Sequence, residues 1–129
     1  MSVSSVIHGR MTTHGGLSAL TSTRVYPNVL PQNPTLPAIA YNIIDVVPVH
    51  SAGTSSGMAE SRVQVDIWSE DYLETITVGV QVVEALGRWS DAGATPVIHD
   101  VIEINRSGSY EDTLELHRLM IDFKVILTE

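Results

Sequence analysis

Leu119, Ile121, Phe123, Val125 and Leu127 stand at every second position near the end of the chain, and Val63, Val65 and Ile67 do the same in its middle. Side chains of a β-strand point alternately to opposite faces, so each run predicts a strand with one face turned to a core. The other face of the same runs carries Arg62, Gln64, Asp66, Arg118, Asp122 and Lys124. Mixed charge of this kind suits solvent or a polar contact between subunits. Two such strands cannot close a core alone. They require further strands beside them and helices over the apolar face.

The rest of the chain supplies those elements. Val3, Val6, Ile7 and Met11 make a helical stripe in an N-terminal segment, residues 1–16, that Gly15-Gly16 interrupts, and Leu17 and Leu20 continue it as a short second turn. Arg24-Val25-Tyr26 reads as a short strand stopped by Pro27. Pro27, Pro31, Pro34 and Pro37 make residues 27–37 an extended surface segment, because a paired strand needs the N–H groups that proline lacks. Residues 38–47 follow as a strand with Ile39, Tyr41 and Ile43 on one face. The small, polar, glycine-rich residues 48–60 read as a flexible hairpin loop. A helix is predicted over 71–89, with Asp71 as N-cap, Glu74 completing a capping box, and Asp91-Ala92-Gly93 as the stop. A strand over 96–106, a turn at Ser107-Gly108-Ser109 and the long last strand complete a single domain of 129 residues. The fold class is α+β: a mainly antiparallel sheet of four to five strands with helices on one face, in the order α-β-β-β-α-β-β.

Helix 71–89 has more apolar surface than one sheet can cover. At about 100° per residue, Leu73, Ile76, Val80 and Val83 form one stripe, the natural core-facing one. Val78, Val82, Ala85 and Trp89 form a second on nearly the opposite side, with Glu74, Thr77, Gln81, Glu84 and Arg88 between them. The second stripe needs a partner. Either the N-terminal helix covers it within the chain, or a neighbouring subunit does. Val78, Val82, Ala85 and Trp89 are therefore the candidate subunit-interface residues.

Composition removes several function classes. Fifteen acidic residues against seven basic ones leave a net charge of −8, and the cations are scattered singly, so the basic patch that grips nucleic acid is missing. The absence of cysteine excludes disulfides and thiolate metal sites. His8 and His14 diverge on a helix, and His99 and Asp100 point to opposite faces of a strand. His50 sits in the predicted loop and His117 at the start of the last strand. Nucleophile elbow, phosphate loop and dinucleotide fingerprint are all lacking. The expectation is a protein without catalytic residues, cofactor or metal, and not an enzyme. Met1 to Leu20 lack the basic start and continuous apolar stretch of a signal peptide, and no run is long enough to span a membrane, so cytoplasmic synthesis is expected.

Taken in order, Leu17-Ser18-Ala19-Leu20, Arg24-Val25-Tyr26-Pro27, Pro31-Gln32 and Pro37-Ala38-Ile39-Ala40-Tyr41 make up the first part of a recurring pattern. Arg62-Val63-Gln64-Val65-Asp66-Ile67-Trp68-Ser69, the helix with Val83, Ala85 and Leu86, and His117-Arg118 through Asp122-Phe123-Lys124-Val125 complete it. Over about residues 17–127 the chain resembles the small tail-completion proteins of long-tailed phages, related in fold to the tail terminator of phage lambda. The resemblance implies a structural virion protein at the head-proximal end of the tail, made in the bacterial cytoplasm. It implies a subunit of a ring, usually hexameric, that caps the tail tube, halts its polymerisation and offers a head-attachment surface. Phage-like particles such as gene transfer agents use the same part. Its implied partners are further copies of itself, the tail tube protein and a head–tail connector or stopper. DNA would pass through an acidic lumen without specific binding. Another neck component, a stopper or adaptor, is the nearest alternative, and a small ligand-binding or enzymatic domain the remote one.

Overall fold

A computed structural model describes residues 2–51 and 54–129, without the side chains of residues 51–56. The elements run α1 (Val3–Thr13), α2 (Gly15–Thr21), β1 (Val25–Pro27), β2 (Ala38–Ser51), β3 (Thr54–Ser69), α3 (Tyr72–Leu86), β4 (Val97–Glu111) and β5 (Leu116–Thr128). They form one five-stranded sheet in the order β1-β2-β3-β5-β4, parallel between β1 and β2 and antiparallel elsewhere. This is the predicted α+β class and element order, with the N-terminal helix split in two.

The two alternating runs pair directly. Val63 lies opposite Phe123, Val65 opposite Ile121 and Ile67 opposite Leu119, so both apolar faces become one surface. Phe123, Ile121, Val65 and Ile67 are fully buried beneath Ile7 and Met11 of α1, Leu17 of α2, and Val78, Val82, Ala85 and Leu86 of α3. Burying an aliphatic side chain stabilises by about 1.5–3 kcal/mol, so this layer holds the domain together.

Local chemistry sets the helix ends. Ser2 and Ser5 exchange capping hydrogen bonds at the start of α1. His14 then serves both helices: its N–H donates to the Arg10 carbonyl at 3.1 Å, and its Nδ1 accepts from the N–H of Leu17 at 3.3 Å. The break predicted at Gly15-Gly16 therefore falls one residue earlier, and both glycines belong to α2. At α3, Asp71 accepts from the N–H of Leu73 at 3.0 Å as expected. The capping box is relayed, however: Asp71 N–H donates to Ser69 Oγ, and Ser69 Oγ donates to Glu74. The helix ends at Leu86, earlier than predicted. Arg88 takes a left-handed conformation, φ 60°, and its N–H donates to Val101 at 2.7 Å, which draws the chain over to β4.

Two predicted connections are strand instead. Residues 48–51 and 54–60 extend β2 and β3, with Val47 opposite Glu60 and Pro48 opposite Ala59. Ala52 and Gly53, also within the predicted loop, lie outside the described residues. Ser107-Gly108-Ser109 continues β4 opposite Met120, Leu119 and Arg118. The turn is at residues 112–115, closed by Glu115 at φ 56°. In both places a neighbouring strand supplies backbone partners, which outweighs the loop-like composition.

Candidate assembly surfaces

The helical layer decides which stripe of α3 is free. Val78, Val82 and Ala85 are 0% exposed, packed between the sheet and the first two helices. Three of the four candidate interface residues thus belong to the chain's own core. The fourth, Trp89, is half-buried, with the Arg10 guanidinium over its ring at 5.3 Å. Arg10 Nε also donates to the Ala85 carbonyl at 2.7 Å, fastening α1 to the end of α3. Three residues of the opposite stripe, expected to face the core, are exposed, Leu73 at 68%, Val80 at 47% and Ile76 at 39%, while its fourth, Val83, is half-buried against the core.

Small residues explain this rotation. Thr75, Gly79 and Ala85 lie on the buried side. A Cβ at Gly79 would come within 2.6 Å of Leu119 Cδ2, so the helix rests on β5 where it has least side chain. This spacing was readable in the sequence but is outweighed there by the larger residues of the other stripe. On the Gln81 flank α3 meets α2, close enough that a Cβ on Gly16 would collide with the Gln81 side chain. The apolar stripe occupies the other flank, on the side where β4 lies. At its top, His117 links Tyr72 and Tyr110, with ring centroids 5.8 and 4.9 Å apart.

A second group of exposed aliphatic side chains, Ile44, Val46, Val47, Val49 and Met58, lies on the arm formed by the far ends of β2 and β3. The two groups sit toward opposite edges of the sheet.

The outer sheet face is polar and largely paired. Arg62 meets Asp122 at 3.0 Å, Lys124 meets Glu60 at 3.3 Å, and Arg118 meets Asp66 at 2.9 Å while stacking on Trp68 at 5.0 Å. Beside Trp68 and Arg118 the segment 28–36 walls a cleft of about 650 Å³ that Leu114 and Leu116 close from the other side. Asp66 is buried, and removing its carboxylate leaves Arg118 with the more distant Glu111 at 3.7 Å. Asp66→Ala is expected to destabilise the chain by about 2 kcal/mol, read as a lower urea midpoint with unchanged slope. On β4, Glu103 holds Arg106 in a two-point ion pair at 2.7 and 2.8 Å. That hydrogen bonding raises the guanidinium pKa above its ordinary value.

Four of the five histidines have local contacts, His117 with the two tyrosines already described. His8 packs against Tyr41, His14 caps α2, and His99 Nε2 lies 2.6 Å from Thr128 Oγ1. Among the described residues no group of three or more His, Cys, Asp or Glu is placed to hold a metal, and no helix is long and apolar enough to cross a membrane. Exposed apolar patches on a sheet-and-helix scaffold are suited to holding other chains.

Residues 5–128 match the family described as tail completion protein gp17. The chain belongs to that family. It is thereby a structural protein of a phage tail. Among solved structures it is similar to a chain in the virion of a native gene transfer agent (GTA) particle, with a TM-score of 0.82 and 11% identity. The match covers 99% of this chain and 96% of the other, so the whole fold is shared. No curated protein matches the sequence. The family resemblance drawn from Arg24-Val25-Tyr26-Pro27 and the Val63–Trp68 strand is therefore correct, and the match takes in α1 from residue 5 onward as well.

Proposed function

We propose that this chain is the repeating subunit of a ring, hexameric by the family resemblance, that caps the tail tube at its head-proximal end. The ring stops further polymerisation and offers a surface to the head connector. The observation that carries this reading is the separation of two exposed aliphatic groups, α3 with Leu73, Ile76 and Val80 on one side and the β2–β3 arm on the other. Unlike patches on opposite edges suit head-to-tail contacts, which close into rings when the rotation allows. Family membership over residues 5–128 supports the tail setting.

Action is by assembly, without turnover, cofactor or metal. The net charge of −8 favours a lumen that DNA traverses without adhering, because like charge repels phosphate. A stopper or adaptor at the head–tail junction is the second reading, and it differs in partner. Light scattering and negative-stain imaging of the purified protein, with and without tube protein, separate the two. A terminator gives rings that bind tube ends and halt their growth. Rings indifferent to tube ends support the neck reading, and a chain that remains monomeric with tube protein present overturns the ring.

A further inference from the structure

Among the described residues, two stretches of sheet edge have no strand beside them. The outer side of β2 pairs with β1 only through Ile39–Tyr41, and Asn28 N–H donates to the Tyr41 carbonyl at 2.7 Å. From residue 42 to 47 that side is open among the described residues, and Pro48, with no N–H, ends the usable stretch. On β4 the outer edge is guarded at its beginning. Asp91 and Ile98 exchange backbone hydrogen bonds at 2.8 and 3.1 Å, and Arg88 N–H donates to Val101. Beyond that guard, residues 104–110 are all exposed, and β5 is their single neighbouring strand among the described residues. Edge strands are normally protected by charged side chains, proline, β-bulges or a covering loop. Residues 104–110 contain neither lysine nor proline; their one charge is Arg106, and the register shift of β4 falls at their start, between Glu103 and Asn105.

The two stretches fit each other in direction, length and charge. Successive antiparallel pairings make β2 and β4 run in opposite directions, and residues 42–47 lie level with 100–105 of the same chain. Copies in one orientation, slid by about five residues along the strands, therefore bring the two stretches together as an antiparallel pair. Asp45 is the one charged residue in 42–47, and Arg106 the one in 104–110. Arg106 already pairs with Glu103, and Asp45 accepts from Arg62 N–H, so the opposite charges steer docking more than they add affinity. Within one chain the stretches cannot meet, since β3 and β5 lie between them. A foreign strand would cover one edge and leave the other open; a second copy covers both with one kind of contact.

We infer that β4, over residues 104–110, adds to the outer edge of β2, residues 42–47, of the next copy, so that one sheet runs on from subunit to subunit. This rests on the ring reading and names its contact. The same docking brings the aliphatic arm of one copy toward the α3 stripe of its neighbour.

The absence of native cysteine makes a direct test possible. Val46→Cys is combined in one chain with Asn105→Cys, Arg106→Cys or Ser107→Cys in turn. Within a chain, β2 and β4 are three strand spacings apart, about 14 Å, beyond the roughly 7 Å between Cα atoms that a disulfide tolerates. Cross-links must therefore join copies. Mild oxidation of the assembled protein is expected to give a ladder of covalent multimers in at least one combination, lost on reduction and absent from each single variant. Assembled particles, verified by light scattering, in which no combination cross-links would overturn the edge contact and leave the ring intact. Wild-type protein that stays monomeric with tube protein overturns both.

Discussion

Val82→Asp is expected to leave no folded protein at 25 °C. Val82 has no exposed surface and sits in the layer that joins α3 to the sheet and to α1 and α2. A carboxylate there loses its water and gains no cation, since Arg10 is already bonded to the Ala85 carbonyl. Desolvating a carboxylate with no cation beside it costs several kcal/mol, and the lost packing adds about 2 kcal/mol more. Together these exhaust a stability at the lower end of the natural range. Domains of this size have roughly 5–15 kcal/mol in all, and assembly cannot rescue a chain that lacks its core. Val78→Asp should behave alike. Circular dichroism at 25 °C and a urea titration read the result, with Val82→Ala as the mild control at about 2 kcal/mol. A soluble, folded Val82→Asp monomer would return this stripe to the role of subunit interface.

That reversal of faces shows where reading the sequence succeeds and where it stops. The strands around Val65 and Phe123 were legible because strict alternation has a single physical solution, and their mutual pairing completes the same core. Helix 71–89 offered two stripes of similar hydrophobicity, and periodicity fixes the angle between stripes, not which one faces inward. Gly79 favours the observed rotation, through an approach to Leu119 that a larger residue could match only by displacing that side chain. The glycine-serine runs misled for a different reason. Exposed strand ends need backbone partners more than apolar side chains, so Pro48 opposite Ala59 and Gly108 opposite Leu119 remain paired despite their composition. The tail-completion resemblance was legible from residues scattered between about 17 and 127. Which face of α3 is left exposed was not, because it depends on the rotation of one helix.

The complementary prediction concerns the stripe left outside. Leu73→Asp combined with Val80→Asp is expected to fold normally and fail to assemble. Both side chains are largely in water in the isolated chain, so charging them removes little native packing, and surface changes of this kind usually stay within about 0.5 kcal/mol each. The thermal midpoint of the monomer should move by only a few degrees. In a closed ring the same pair recurs at every interface. An interface can bury roughly half of each side chain, about 0.8–1.5 kcal/mol apiece. Losing two therefore weakens each contact by at least about tenfold, and the carboxylates add their own desolvation cost. Light scattering should report monomer where wild type reports a ring, with an unaltered far-ultraviolet spectrum. If the variant still forms rings but no longer seats on tube ends, the stripe meets the tube protein and the strand edges alone close the ring. Rings that both form and seat normally would mean that the stripe faces solvent, and the exposed aliphatic arm would then have to find its partner elsewhere.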